Sequence, residues 1–471
     1  MVRRACAWAS LTIMIVAGCA RYHSVPLSHE TVEEALVPPT EGALQIQAKS
    51  LRHPILPPLD FNDLDGLSPE EAAVLAVLAN PGLRAIRDQR AIAQGQVLQA
   101  GLLPNPRLIY FMSFPTGKVD PGTVTEFGGW LTWDLRTVIT RGARVDAAVA
   151  HANQVDLDVA WQEWQVAQAA KLSTFRLWTL RAQTVLAQEL ADLLEKNVRQ
   201  LRGALQKNLI TALELTAAET ANNTAHANVL ELEKLARQER VMLNRMLGFP
   251  SETHIPLQKD ITLPDRLTLP SMENLLQDLE DRRLDLVALR HGYESQEATV
   301  RAAILSQFNN IQIGFLDVRD TGNYYRPGFQ VWTDIPIFDR NQGNIVSERA
   351  TRKKLFDEYV SRVFQARNDI AKLLIGLKWL NDQVGNTQEA MPILTRLVDK
   401  LRSALSGGQS TVVLYYTALG NLTTKKIQNL GFKQQLVDAM IALELATGLY
   451  QLNGLPPAPG VSTVSELGVA P

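Results

Sequence analysis

The chain has 471 residues, and 47 lysines and arginines against 49 aspartates and glutamates give a formal net charge of −2. This balance excludes a basic surface for nucleic acid, and a hydrophobic fraction of 46% excludes a disordered chain. A mean hydropathy of −0.06 excludes a bundle of transmembrane helices. The two cysteines, Cys6 and Cys19, leave the rest of the chain without a disulfide scaffold, a zinc ribbon or a thiol nucleophile.

The N-terminal segment has the order of a secretory signal. A pair of arginines precedes the apolar run 9–17, which is shorter than the roughly 20 residues of a membrane-spanning helix. The segment ends in Val-Ala-Gly-Cys19, which resembles a bacterial lipobox, and an ordinary signal peptide with an incidental cysteine is the alternative. We therefore expect 1–18 to be a signal peptide and Cys19 to carry palmitate. Ala20, in place of the aspartate of lipoproteins kept at the inner membrane, indicates outer-membrane sorting.

The rest of the chain follows one plan twice, as helix, two strands and a long helical hairpin. The two copies are offset by about 200 residues, so the pattern favours one duplicated unit over three separate domains. The predicted segments are a lipid-anchored, extended, Pro-rich leader at 19–67, a first repeat at 68–250, a connector at 251–270, a second repeat at 271–450 and a C-terminal tail at 451–471.

Four segments alternate apolar and polar residues with the period of a β-strand. In the first, Leu108, Tyr110 and Met112 share one face. Each segment is about as long as a tilted membrane strand, which has roughly 9–11 residues. The predicted strands cover about 105–115, 125–136, 308–317 and 326–337.

Long stretches with few breakers predict two helical hairpins. Ser68, as N-cap before Pro69, first opens a shorter helix that should continue to about residue 100. A helix of sixty-odd residues is roughly 100 Å long, so such a hairpin needs lateral neighbours. The predicted long helices cover about 141–206 and 211–247 in the first repeat and about 344–405 and 411–447 in the second.

These elements predict a mainly α fold with a small β portion. Four strands cannot close a membrane barrel, because known barrels have at least about 8 strands. An open sheet edge in lipid would leave backbone groups unpaired. Either the strands form a soluble sheet, or two, three or four copies share one barrel of eight, twelve or sixteen strands.

Three short segments are distinctive in their own right. They are Asn80–Leu83 (Asn-Pro-Gly-Leu), Ala100–Pro106 (Ala-Gly-Leu-Leu-Pro-Asn-Pro) and Ile335–Gly343 (Ile-Pro-Ile-Phe-Asp-Arg-Asn-Gln-Gly). In this order, within a duplicated frame behind a lipobox, they resemble signatures of the TolC-like outer-membrane factors, the outer membrane efflux proteins. The resemblance extends over essentially all of the mature sequence, and the third segment is similar to heavy-metal members.

The resemblance implies a homotrimer whose twelve strands close a transmembrane β-barrel in the outer membrane. A long α-helical barrel would continue it through the periplasm. The implied function is the exit duct of a tripartite efflux pump. Its partners would be a periplasmic adaptor (membrane fusion protein), an inner-membrane transporter of the resistance-nodulation-division (RND) type and outer-membrane lipid.

The turns within the two hairpins would form the periplasmic tip and match family positions that contact the adaptor. The alternative is that they are simply tight helical turns. Gly408 keeps the turn glycine of the family, whereas Asn208 replaces it and tolerates positive φ. The candidate contact residues are Asn208, Leu209, Ile210, Thr211, Gly407, Gly408, Gln409, Ser410 and Thr411.

The implied pore constriction lies just past the turns, where well-known members carry aspartates. This chain has Leu414 and Thr417 there, and Glu214 at the matching place in the first repeat. A ring of three Leu414 side chains would close the pore by dewetting rather than by binding cations. The alternative is that Leu414 belongs to a coiled-coil core.

Features of enzymes and cofactor sites are absent from the sequence. The seven histidines lack metal-ligand spacing, and neither a phosphate loop nor a nucleophile elbow occurs. We therefore predict no catalytic residue, no metal and no cofactor. Two other functions stay open, namely the outer-membrane component of a type I protein secretion system and a structural or adaptor-type coiled-coil lipoprotein.

Overall fold

The computed structural model describes residues 21–61, 65–308 and 311–449, so the expected signal peptide, Cys19 and the tail lie outside the described residues. The chain divides after Thr40 into two units. In its described part the first unit contains helix α1 (His29–Leu36). Its start is closed by a capping box, in which Ser28 and Thr31 each accept the other's backbone N–H.

The second unit, from Glu41 onwards, holds a four-stranded sheet and the long helices. Both repeats follow the order helix, two strands and two long helices, and the second repeat also contains two short helices at Met272–Leu276 and Leu279–Arg282. The described elements are α2 (Glu41–Lys49), α3 (Pro69–Ala79), α4 (Pro81–Gly101), β1 (Arg107–Ser113), β2 (Glu126–Asp134), α5 (Arg136–Gln206), α6 (Ala212–Met246), α7 (Met272–Leu276), α8 (Leu279–Arg282), α9 (Leu284–Leu305), β3 (Gln312–Arg319), β4 (Tyr325–Trp332), α10 (Gln342–Ser406) and α11 (Val412–Thr447).

The mainly helical fold with a small sheet is confirmed, and four of its helices are very long. Helix α5 has 71 residues and α10 has 65, so each is roughly 100 Å long. Each begins a few residues before the predicted start. At α5 the Asp134 carboxylate accepts the backbone N–H of Arg136, at 2.9 Å, which brings the helix directly out of strand β2.

The extended leader predicted for 19–67 is wrong at helix α1 and for the segment 41–61. Helix α2 lies within it, and Leu44, Ile55 and Leu56 are buried against the first repeat. The proline content indicated an extended chain, but these apolar side chains find a surface to cover. Burial of such side chains outweighs local backbone preference.

The helix predicted from Ser68 to about residue 100 is two helices. Ser68 and Glu71 form the expected capping box at the start of α3. The chain breaks at Asn80, because Pro81 cannot donate the next helical hydrogen bond. Asn80 caps α4 by accepting the N–H of Gly82 and donates to the carbonyl of Met246, both at 2.8 Å, which explains the Asn-Pro-Gly segment structurally.

The four strands form one antiparallel meander in the order β1-β2-β3-β4. Leu108, Leu131, Phe315 and Phe329 pair in sequence across the sheet and form one exposed apolar row, here called the outer row. In the described part of the chain, β1 and β4 each have a neighbour on one side only. The two outer strands are therefore open edges.

The strands of the second repeat differ from the predicted bounds. The described part of strand β3 begins at Gln312, while residues 309–310 of the predicted strand lie outside the described residues, and β4 ends at Trp332 rather than 337. Gln312, where β3 begins, is paired with Trp332, where β4 ends. Alternation at Thr333 and Ile335 predicted a longer strand, but alternation alone does not supply a hydrogen-bonding partner.

The helices pack side by side in the order α4, α5, α9, α10. Helix α5 also packs on α6, and α10 on α11, as the predicted hairpins require. No helix of the described residues has the combined length and apolar composition that crossing a membrane requires.

Candidate functional site

The turn between α5 and α6, residues 207–211, is closed by backbone hydrogen bonds that only a left-handed residue permits. Asn208 has φ +56°, its N–H donates to the Leu205 carbonyl at 2.9 Å, and the N–H of Leu209 donates to Ala204 at 3.0 Å. This is the pattern of a Schellman motif. The expected positive φ of Asn208 is present.

The turn between α10 and α11, residues 407–411, repeats this backbone. Gly408 has φ +72°, its N–H donates to Leu405 at 3.1 Å, and the N–H of Gln409 donates to Ala404 at 2.8 Å. A Cβ added at Gly408 would meet no atom within 4 Å. The glycine is therefore required by the backbone conformation and not by lack of space.

The helix starts after the two turns differ. Thr211 accepts the N–H of Glu214 at 3.3 Å, and Glu214 accepts the N–H of Thr211 at 2.8 Å, which completes a capping box. Thr411 accepts the N–H of Leu414 at 3.3 Å, but a leucine cannot return the second bond. The second helix start therefore has half of the cap that the first has.

The three residues of the expected constriction are in different situations. Glu214 is engaged by the cap, and the hydrogen bonds from the Thr211 backbone and hydroxyl hold its pKa below the ordinary value. Leu414 is 52% exposed, and Thr417 is exposed with its hydroxyl on the Val413 carbonyl. Leu414 thus stands outside the apolar core of its own hairpin in this chain.

The structure brings the two predicted tips together. Val198, Leu201 and Ala218 form a small core within the first hairpin, and both Ile210 and Val412 pack against it. The remaining tip residues are mostly exposed, and Leu209 is 72% exposed. The tips therefore present one joint polar and apolar surface at the ends of the hairpins.

A tyrosine pair next to the second turn was not predicted from the sequence. The rings of Tyr415 and Tyr416 meet edge to face at 5.0 Å, and Arg402 Nε lies 3.4 Å from the Tyr415 hydroxyl. Tyr416 packs against the cluster that contains Ala187 and Val229 of the first hairpin. Two adjacent tyrosines near a helix start could have predicted this contact, because adjacent helical residues point in different directions and one of them can reach the neighbouring hairpin.

A buried charged group fastens the segment 41–61 to the first repeat. His53 Nδ1 accepts the N–H groups of Ile55 and Leu56, and its Nε2 lies 3.4 Å from the Glu163 carboxylate. Burial alone would raise the pKa of Glu163, but hydrogen bonds from His53 and Arg87 outweigh it and lower that pKa to about 2. The carboxylate thus stays charged and holds helix α4 and the segment together.

The segment Ile335–Gly343 forms a joint between β4 and α10. The Asp339 carboxylate accepts the N–H of Asn341, Arg340 Nε donates to the Pro336 carbonyl, and Asn341 Nδ2 donates to the Ala303 carbonyl. Asn341 takes φ +60° at the start of the helix. All of these contacts fix backbone, which agrees with a structural role for this segment.

Metal ligands do not converge in the part of the chain that the structure describes. No group of three or more histidine, cysteine, aspartate or glutamate side chains there could hold a metal ion.

Comparisons with known proteins agree with this architecture, although no family model matches the chain. The cobalt-zinc-cadmium resistance protein CzcC of Cupriavidus metallidurans is 25% identical over 310 residues, which make up 64% of this chain and 71% of that protein.

Solved structures share the fold at low sequence identity. CusC, described for its folding and transmembrane channel formation, matches with a TM-score of 0.65 and 18% identity over 81% of this chain and 93% of its own. The Campylobacter jejuni CmeC outer membrane channel matches with a TM-score of 0.65 and 13% identity over 91% of this chain and 94% of its own. The resemblance to outer-membrane factors that the motifs indicated is confirmed.

Proposed function

We propose that this chain, which resembles the TolC-like outer-membrane factors in motifs and fold, is the outer-membrane exit duct of a tripartite efflux pump. The observation that carries the proposal is the four-stranded meander, whose outer row is exposed and whose edge strands β1 and β4 are open. A sheet with an exposed apolar face and open edges is prone to aggregate in water and leaves backbone groups unpaired in lipid. Sharing one barrel between copies removes both costs.

The proposed assembly is a homotrimer with twelve strands. Successive strands of the meander alternate in direction, so β4 of one copy can pair antiparallel with β1 of the next. Three copies give twelve strands, above the minimum of about 8 that known membrane barrels have. The outer row would then face lipid.

The helices support the same seam between copies. Because α4 and α10 lie at the two ends of the row α4, α5, α9, α10, each has one side without a neighbouring helix of that row. Both carry exposed apolar side chains, which include Ile92 and Leu98 on α4 and Phe356 and Phe364 on α10. We place α10 of one copy against α4 of the next, directly continuous with the proposed β4–β1 pair.

The proposed location is the outer membrane, with the hairpins in the periplasm. The signal segment and acylation of Cys19 would anchor the chain by lipid, and several buried acyl chains make a firm tether. The duct performs no catalytic step and needs no cofactor. It provides a passage whose energy comes from the inner-membrane transporter.

The proposed partners meet the duct at the hairpin tips. The turns 207–211 and 407–411 are mostly exposed, and their fixed backbones suit docking to a periplasmic adaptor. The transporter that the adaptor links would be of the RND type. The relative CzcC is named for resistance to cobalt, zinc and cadmium, so metal salts are among the compounds to which a deletion strain should be exposed.

The proposed constriction is a ring of Leu414 side chains, with Thr417 one helical turn further along α11. Leu414 is half exposed in the single chain, which leaves it available to meet its counterparts from two other copies. We expect Leu414→Ser to let large antibiotics leak through the outer membrane, because a hydroxyl weakens closure by dewetting. Unchanged leak at equal expression would contradict a Leu414 gate.

The proposal is tested by fractionation and by deletion. We expect a trimer that resists mild detergent in the outer-membrane fraction, and a deletion strain more sensitive to metal salts or hydrophobic drugs. A periplasmic monomer would favour the adaptor-type lipoprotein instead. Loss of a secreted protein with unchanged sensitivity would favour type I secretion.

A further inference from the structure

The sheet face opposite the outer row has an unexpected composition. In the proposed barrel this face lines the lumen, where water-filled barrels are polar. Here it carries Ile109, Phe111, Trp130 and Trp332 among polar residues such as Thr132 and Gln330, and all of these positions alternate with the outer-row positions along the strands. Aromatic side chains facing a water passage need a reason beyond sheet formation.

These aromatic rings are held in fixed positions. The Trp332 ring covers Gly314, where an added Cβ would lie 2.5 Å from Trp332 Cζ3. The rings of Phe111 and Trp130 stack with centroids 5.2 Å apart and planes 23° apart. Trp332 nevertheless stays 38% exposed, so it offers an immobile apolar surface to the space above the sheet.

A concavity of about 700 Å³ lies above this face and is lined from β1 to the residues beyond β4. Its lining includes Ile109, Trp130 and Trp332, with Arg107 at the β1 side and Asp334 beyond β4. The volume falls within the range of drug-sized sites, about 300–1,000 Å³. Among the described residues neither the Arg107 side chain nor the Asp334 carboxylate forms an ion pair, so both charges are available to a ligand.

Assembly would leave this concavity open. Pairing of β4 with β1 of the next copy uses backbone groups that lie in the plane of the sheet, whereas the concavity lies on its face. Indole rings attract cations over their faces more strongly than other aromatic rings do. Asp334 lines the same concavity as Trp332, two residues away in the sequence, so it supplies a negative charge at the β4 side of the aromatic surface.

We propose that this face is a binding subsite for planar aromatic organic cations, with the ring system against Trp130 and Trp332 and the charge towards Asp334. This inference rests on the proposed function, because it takes the face as lumenal. It names the cargo class for which this passage has a built surface. If the aromatic rings served only to pack over glycines, as Trp332 packs over Gly314, the face would not bind such cations.

The test uses the full-length trimer purified in detergent and ethidium as the probe, followed by fluorescence anisotropy. We expect saturable binding, about tenfold or more weaker in the double variant Trp130→Leu/Trp332→Leu, because stacking on each aromatic ring contributes measurably. Leucine keeps these positions apolar and leaves the barrel able to form. The matched control is Phe315→Leu on the outer row, which should bind ethidium as the unchanged protein does.

A second variant does not depend on the packing of the sheet. Asp334 lies beyond the end of β4, so Asp334→Asn should assemble normally and weaken ethidium binding, whereas Arg107→Gln, which removes a positive charge from the lining, should strengthen it. An assembled trimer without saturable ethidium binding, or with equal binding in the tryptophan variant, would overturn the inference alone. Absence of a trimer would instead count against the proposed function.

Discussion

The two hairpin turns have the same backbone but different helix starts. Asn208 and Gly408 occupy the same left-handed conformation and are followed by the same pair of backbone hydrogen bonds. Three residues into the next helix, Glu214 closes a capping box, and Leu414 leaves the corresponding cap half made. One side chain therefore separates a fully capped tip from a partly capped one.

This difference indicates that the two repeats differ in the local stability of the helix that follows the turn. The first turn is held by backbone hydrogen bonds at its start and by the capping box at its end. The Glu214 carboxylate is engaged in that capping box. The second tip leaves Leu414 half exposed and has fewer bonds to break when its helix start moves. If the chain is the proposed duct, we expect its opening to begin at α11 rather than α6, because segments with fewer local bonds open at lower free energy.

The largest effect is expected from forcing a β-branched residue into the left-handed position. Gly408→Val should lower the free energy of local opening at the second turn by about 1–2 kcal/mol, because such a residue strongly disfavours positive φ. Asn208→Val should cost less, since asparagine already bears part of that strain. Hydrogen exchange of peptides covering each turn measures both.

Gly407 supplies the matched control for this prediction. It has φ −87°, and its added Cβ would make only ordinary contacts with the Ser403 and Ala404 carbonyls. Gly407→Ala should therefore leave exchange unchanged. An equal loss of protection in Gly407→Ala and Gly408→Val would contradict a role for backbone conformation.

A smaller effect should separate the two caps. Thr211→Ala removes the capping box and should destabilise the start of α6 by about 1–2 kcal/mol, whereas Thr411→Ala removes one bond and should cost about 0.5–1 kcal/mol at α11. Hydrogen exchange of the first turn of each helix provides the comparison. Equal costs would mean that Glu214 adds nothing to its cap.

The smallest effect is a dependence on pH that only the first tip should show. The pKa of Glu214 is lowered in the folded chain, so its stabilisation is present above the ordinary value of 4.5 and is lost as pH falls through the folded value. Corrected exchange rates at the start of α6 should therefore rise in acid. Corrected exchange rates at the start of α11 should not rise, because Leu414 does not titrate. Equal responses at the two helix starts would contradict the hydrogen bonds of Glu214 to Thr211.

The sequence predicted most of the regular structure because periodicity and breakers are local signals. The capping residue Ser68, the long hairpins, the four strands and the positive φ of Asn208 all follow from neighbouring residues. Alternation also predicted the face of Leu108 correctly. It placed the end of β4 beyond Trp332, because alternation does not show where hydrogen bonding to the neighbouring strand stops.

Two of the missed features depend on contacts between distant residues. The proline content indicated an extended leader, so the burial of Leu44 was not predicted. The contact of His53 with Glu163 was not predicted because the two residues are 110 positions apart in the sequence. Glu214 was predicted at a constriction by family position, whereas its spacing from Thr211 already contained the capping box. A local reading of that spacing would have assigned the acid to the cap.

The shared barrel is tested most directly by joining β1 of one copy to β4 of the next. The chain has no cysteine after Cys19, so Tyr110→Cys can be combined with a cysteine at 327, 329 or 331, all on the same face. Within one copy β1 and β4 are three strand spacings apart, roughly 14 Å, beyond the reach of a disulfide. We expect oxidation to give covalent dimers and trimers on a non-reducing gel for at least one pair. Monomers alone at all three pairs would contradict the shared barrel.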